Sequence, residues 1–266
     1  MLGAVIGDII GSRFEADNHK SKEFDLFTQD SCPTDDSIMT LAIAKALLAS
    51  REDWNQLSQN AVKYMQEIGR QYPNCGYGGH FFYWIFSDDP QPYGSYGNGS
   101  AMRISPVGFA ADSIEQAKAL SQAVTEVSHD HPEGLKGAEA VAVAIFLARN
   151  GASMDEIRDY IDKNYYSMNF TLDQIREGYS FDVTCQGSVP QAFQAFFESQ
   201  DFEDAIRNAI SIGGDSDTIA AICGGLAQAY YGIPAPIRNQ VMAYLDDHLV
   251  EIVDTFESAY PIHPNK

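Results

Sequence analysis

The sequence predicts an all-α protein, a compact helical bundle, on three observations. Segments 38–50, 113–127, 134–149, 154–164, 189–198, 201–212, 218–231 and 237–260 repeat their apolar residues with helical period. No stretch of comparable length alternates apolar and polar residues as a strand does. The breaks are Gly, Pro and Asn clusters: Tyr72-Pro73-Asn74, residues 88–100, and Gly232-Ile233-Pro234, where proline cannot continue a helix.

Taken in order, residues 3–11 carry glycine at 3, 7 and 11, a spacing that puts all three on one side of a helix. Residues 38–49 (IMTLAIAKALLA) and 219–231 (IAAICGGLAQAYY) are apolar nearly all round, so both belong at the centre of the globule. The second contains Gly224-Gly225, each costing about 1 kcal/mol of helix propensity relative to Ala. Tight helix-helix contact explains them, with the glycine-striped N-terminal segment as the expected partner. Residues 237–260 read as one long closing helix. No linker, charge block or low-complexity tract divides the chain, so residues 1–266 are expected to form a single domain.

Composition narrows the function. Of 266 residues, 45% are hydrophobic, enough for a sizeable core. The formal charge of −20 opposes binding to nucleic-acid backbones and to anionic membranes. No run approaches the ~20 apolar residues of a membrane span, and residues 1–12 do not read as a signal peptide, which points to the cytoplasm. Cys32, Cys75, Cys185 and Cys223 lie far apart without a C-x-x-C pair, so reduced thiols, mostly in the core, are expected.

Chemistry gathers in two knots, Thr34-Asp35-Asp36-Ser37 before one core helix and Asp215-Ser216-Asp217-Thr218 before the other. N-capping explains one side chain in each. It does not explain the surplus, four carboxylates whose charge matches two divalent cations. All-oxygen donors select Mg²⁺ or Mn²⁺ over Zn²⁺. Asp215 and Asp217 converge only if the first stays in the loop and the second enters the first turn, a geometry that Gly213-Gly214 permits. Glu15 either closes over this site or lies on the surface.

Two further segments have competing readings. Residues 93–106 contain Gly94, Gly97 and Gly99, either an ordinary loop or a nest of backbone N–H groups suited to phosphate. His129 and His131 read as helix caps or as a pair donating to phosphate. The aromatic run 77–86 and the loop 88–96 are candidate rim elements, although Phe81, Phe82, Trp84 and Phe86 read more simply as core.

Together these motifs resemble the ADP-ribosylglycohydrolase family: Gly3-x-x-x-Gly7-Asp8-x-x-Gly11 with Glu15, Thr34-Asp35-Asp36-Ser37, Gly97-Asn98-Gly99-Ser100-Ala101-Met102-Arg103-x-x-Pro106, Ser128-His129, and Gly213-Gly214-Asp215-Ser216-Asp217-Thr218. The resemblance spans residues 3 to about 234. It implies an orthogonal all-α bundle with two Mg²⁺ or Mn²⁺ ions in a cleft. The implied metal ligands are Thr34, Asp35, Asp36, Asp215, Asp217 and Thr218, with Asp217 bridging. Gly97, Asn98, Gly99, Ser100, Met102 and His129 would hold the diphosphate and its ribose. The catalytic acids would be Asp215, Glu15 and Asp36.

The implied reaction releases ADP-ribose from a modified side chain, arginine before serine, or from a small molecule, in a monomer. Two rival readings use the same site: an ADP-ribose sensor without turnover, and a binuclear phosphohydrolase cutting ADP-ribose at phosphorus.

Overall fold

The computed structural model describes residues 1–261. Its helices are α1 (Leu2–Gly11), α2 (Asp35–Ser50), α3 (Leu57–Gly69), α4 (Gly79–Phe86), α5 (Gly99–Met102), α6 (Ser105–Ala110), α7 (Ile114–Thr125), α8 (Pro132–Arg149), α9 (Met154–Asn164), α10 (Leu172–Arg176), α11 (Cys185–Phe197), α12 (Phe202–Ile210), α13 (Ser216–Tyr231), α14 (Ala235–Val241) and α15 (Asp247–Ala259). No strand forms among the described residues, where a lone antiparallel bridge joins Gly97 to Thr184. The class is all-α.

The interior is built on α1, α2 and α13. Every residue of α1 is buried, and α13 is buried from Ser216 to Ala229. The glycine stripe of α1 lies directly on α13. A Cβ on Gly7 would sit 2.0 Å from the Ala220 carbonyl oxygen, and one on Gly3 2.2 Å from that of Gly224. A Cβ on Gly11 would sit 2.6 Å from the Asp217 Cα. Two backbones approach this closely only where neither carries a side chain, which accounts for the glycines at 3, 7, 11 and 224. Asp8 follows Gly7 by about 100° around the helix and so faces a different neighbour, the start of α2.

Several elements differ from the sequence reading. The closing segment is not one helix: after α14 a short 3-10 turn spans Met242–Tyr244, Leu245 is extended, and the Asp246 side chain caps α15 by accepting from the Leu249 N–H. A second cap inside an apolar-periodic stretch ends one helix and starts another. The helices α3, α4, α5, α6 and α10 lie outside the periodic segments read from sequence, and α5 makes a helical turn of residues 99–102, read there as part of a loop. In α4 only Phe81, Trp84 and Ile85 are buried, while Phe82, Tyr83 and Phe86 are exposed, so the core assignment fails for Phe82 and Phe86. A helix apolar on all sides hides one face when it packs at the surface. Of the cysteines, Cys185 and Cys223 are buried, Cys75 is half-buried and Cys32 exposed, so only half lie in the core; all four are free thiols.

Candidate active site

Both acidic knots stand at helix starts, but only the first caps its helix through a side chain; Asp215 makes no such bond. The Thr34 side chain accepts from the Asp36 N–H at the start of α2, with Asp35 and Asp36 in the first turn. Asp215 is the N-cap position of α13 and Asp217 lies in its first turn. The turn before it needs its glycines, since Gly213 and Gly214 have φ of 68° and 75°. Asn18 closes that turn by accepting from the Gly214 N–H at 3.0 Å.

The two helix starts face each other. The Thr218 Oγ1 donates to Asp36 Oδ2 at 3.2 Å, joining residues 182 apart in sequence. One carboxylate oxygen from each of Glu15, Asp215 and Asp217 lies within 4.8 Å of the others. Asn98 reaches the same place, its Nδ2 donating to Asp215 Oδ2 at 2.6 Å and to Ser188 Oγ at 3.0 Å. Asp36, Asp215 and Asp217 are buried, Asp35 is partly buried, and Glu15 stands exposed.

These acids border one cavity of about 410 Å³, with Thr218, Gly97, Asn98, Gly99, Met102, Arg103 and His129 also lining it. Tyr93, His80, Phe81, Phe181 and Val183 complete much of its surface. Of the expected site residues, Thr34 and Ser100 do not line it. The Thr34 hydroxyl donates to Asp8 at 2.7 Å, and Ser100 donates to the Gly134 carbonyl at 2.9 Å.

The glycine loop works differently from a nest. Of its glycines only Gly94 has positive φ; Gly97 and Gly99 do not. Their role is close approach, since a Cβ on Gly99 would lie 3.3 Å from His129 Nε2. The histidine pair also divides. His131 caps α8 by accepting from the Glu133 N–H, whereas His129 is buried against the cavity.

The electrostatics are those of crowded, desolvated acids. Burial, and then the Asp217 charge, pushes Asp36 far above the usual carboxylate range, while burial and the neighbouring Asp215 do the same to Asp217. Asp35 is pushed up to about 8 by burial and by Asp8. Asp215 rises less, because hydrogen bonds from the Asp217 and Asn98 side chains offset its burial. Among the described residues no basic side chain forms an ion pair with any of these acids. Asp36 Oδ1 is buried without a hydrogen-bond partner. An orphaned carboxylate oxygen, oxygen-only donors and uncompensated negative charge fit hard divalent cations.

Sequence reasoning gave no role to two buried residues here. Asp8, the only charged residue in α1, accepts from the Thr34 N–H and hydroxyl and from the Ser37 N–H and hydroxyl. Its signal was present, a lone carboxylate in an apolar run. Arg103 is wholly buried, and only its neighbours in space explain it.

An all-α bundle whose two central helices open on one acid-lined cavity matches a known architecture. A solved structure described as an ADP-ribosylglycohydrolase-related protein complex superimposes with a TM-score of 0.71 at 22% identity, covering 98% of this chain and 95% of that one. The ADP-ribosylglycohydrolase family profile matches residues 1–262, and the chain belongs to that family of glycosyl hydrolases. Similar proteins include the ADP-ribosylhydrolase ARH3 of Homo sapiens, 25% identical over 88% of this chain and 84% of the relative. The ADP-ribosylarginine hydrolase Tri1 of Pseudomonas putida (strain GB-1) is 27% identical over 88% and 70%. No helix among the described residues is long and apolar enough to cross a membrane.

Proposed function

We propose that the protein hydrolyses the glycosidic bond between the distal ribose of ADP-ribose and a modified side chain or small molecule, with divalent-metal dependence and arginine as the first candidate linkage. Serine is the second. The observation that carries this reading is the meeting of the two knots, Thr218 on Asp36, in a cavity that also holds the 97–102 loop and His129.

Asp35, Asp36, Asp215, Asp217 and Thr218, with Thr34 beside them, would hold two Mg²⁺ or Mn²⁺ ions. When bound there, the ions supply Lewis acidity that lowers the pKa of a coordinated water and neutralises the clustered charge.

The chain's own groups do the rest. Asp215, fixed by Asn98, takes the proton of the attacking water, and Glu15 is the other candidate base. Asp36 lines the cavity and keeps one buried oxygen without a hydrogen-bond partner. The carboxylates also face the ribose carbon where positive charge develops in an oxocarbenium-like transition state. Gly97, Asn98, Gly99 and Met102 take the diphosphate and its ribose, Ser100 braces that loop from behind, and His129 donates to a phosphate oxygen. The chain acts as a cytoplasmic monomer in this reading.

Defined arginine-, serine- and acetyl-linked ADP-ribose substrates, assayed with Mg²⁺, Mn²⁺ or chelator, test it. Release of ADP-ribose from at least one substrate, stopped by chelator, is expected. Tight ADP-ribose binding with no turnover on any of them would favour a sensor and refute hydrolysis.

A further inference from the structure

Arg103 is an unusual cation. It is wholly buried and lines the cavity, yet its Nε and Nη1 have no hydrogen-bond partner. Among the described residues it makes no ion pair. Its guanidinium lies 5.3 Å from the Phe81 ring centre, and Nη2 donates to Ser128 Oγ at 2.7 Å. Ser128 Oγ is in turn 2.9 Å from His129 Nδ1.

The direction of these bonds follows from proton counting. A guanidinium only donates, so Ser128 Oγ accepts from Arg103. The serine hydroxyl has one proton, and the His129 Nδ1 is the remaining partner within reach. Donation to Nδ1 makes that nitrogen the acceptor and leaves the ring proton on Nε2. Nε2 faces the glycine loop, 3.3 Å from where a Gly99 Cβ would stand and 3.8 Å from a Gly97 Cβ. Burial and the Arg103 charge both lower the His129 pKa, consistent with a neutral ring.

We infer that Arg103 and Ser128 are positioning residues: Arg103, through the Ser128 hydroxyl, holds His129 as a neutral Nε2–H donor aimed at the 97–99 loop, where an anionic diphosphate binds. Arg103 also supplies the uncompensated positive charge that such an anion neutralises, offsetting the acids across the cavity. The Phe81 ring keeps the guanidinium desolvated but not neutralised, since a ring face attracts a cation without cancelling its charge. The inference deepens the proposed function and rests on that reading for the identity of the anion.

The test is ¹⁵N NMR of the free protein labelled at histidine, with the His129 signals assigned by their loss in His129→Asn. A protonated Nε2 and a hydrogen-bonded, unprotonated Nδ1 are expected at neutral pH. In Ser128→Ala the Nδ1 resonance should move toward that of a free imine nitrogen. Its dissociation constant for ADP-ribose should rise roughly tenfold, the loss of about one charge-assisted hydrogen bond. An Nδ1–H tautomer in the unaltered protein overturns the inference, as does Ser128→Ala binding ADP-ribose as tightly as the parent. If Ser128→Ala does not fold, the tautomer of the unaltered protein still decides. If the unaltered protein shows the expected tautomer but does not bind ADP-ribose, the proposed function fails and the Arg103-Ser128-His129 relay stands.

Discussion

Asp8 takes both the backbone N–H of Thr34, at 2.9 Å, and its hydroxyl, at 2.7 Å, tying the middle of α1 to the first residue of the opposing knot. With the two Ser37 bonds, four donors converge on one buried carboxylate. In Asp8→Asn an amide N–H₂ must face donors on one side. Stability should fall by about 2 kcal/mol, and activity should fall with it as the α2 start shifts. Urea unfolding together with a hydrolysis assay checks both; unchanged stability would remove Asp8 from the account.

The α1-α13 contact predicts a contrast between two glycines. Gly7→Ala places a methyl group 2.0 Å from the Ala220 carbonyl oxygen, where backbone must move, and should cost about 3 kcal/mol or more. At Gly78 a Cβ would meet nothing within 4 Å, so Gly78→Ala should change stability little. Equal melting temperatures for the two variants would contradict the packing.

Asp36→Asn and Asp217→Asn should move activity and stability in opposite directions. Each removes a buried acid whose ionisation burial and the neighbouring carboxylates oppose, and so should raise the melting temperature of the chelator-treated protein by a few degrees. In the proposed function each is also a metal donor, so its loss should lower turnover on the order of 100-fold or more. Differential scanning calorimetry and ADP-ribose release, run on the same preparations, separate the effects.

The acids also set a pH dependence. Asp8 is raised to about 6, mainly by burial against its four hydrogen bonds, and Asp35 to about 8, from an ordinary 3.8. Between those values and 3.8 the folded chain holds protons that the unfolded chain has released, so stability declines as pH rises. The chelator-treated protein should therefore be most stable near pH 4 with respect to these groups and lose stability toward pH 8. Mg²⁺ should flatten the decline, because in the proposed function the cations bind the ionised folded form. Melting temperatures across this range, with and without Mg²⁺, give the result; a stability that rises with pH in chelator would contradict it.

How legible the molecule is in its sequence depends on the range of the interaction. The glycine stripe at 3, 7 and 11, the apolar-all-round helices and the loop-then-first-turn placement of Asp215 and Asp217 are local patterns, and the structure contains each. The break at Asp246 is also local but hidden, because apolar periodicity continues on either side of the cap. In α4 the composition gives no polar face to mark which side faces water, so the sequence does not show that Phe82 and Phe86 lie outside the core. Arg103 lies beyond sequence reading for another reason. Its meaning comes from Ser128, 25 residues away, and from the ring of Phe81.

The central claim is that acids from both knots cut a glycosidic bond with the help of divalent cations. Single-turnover reaction of the purified protein with ADP-ribosyl-arginine, followed by mass spectrometry, tests it most directly. The account predicts intact ADP-ribose and free arginine with Mg²⁺ or Mn²⁺, and neither product after chelation or in Asp217→Asn. AMP with ribose 5-phosphate, or undiminished ADP-ribose release in chelator, would contradict it.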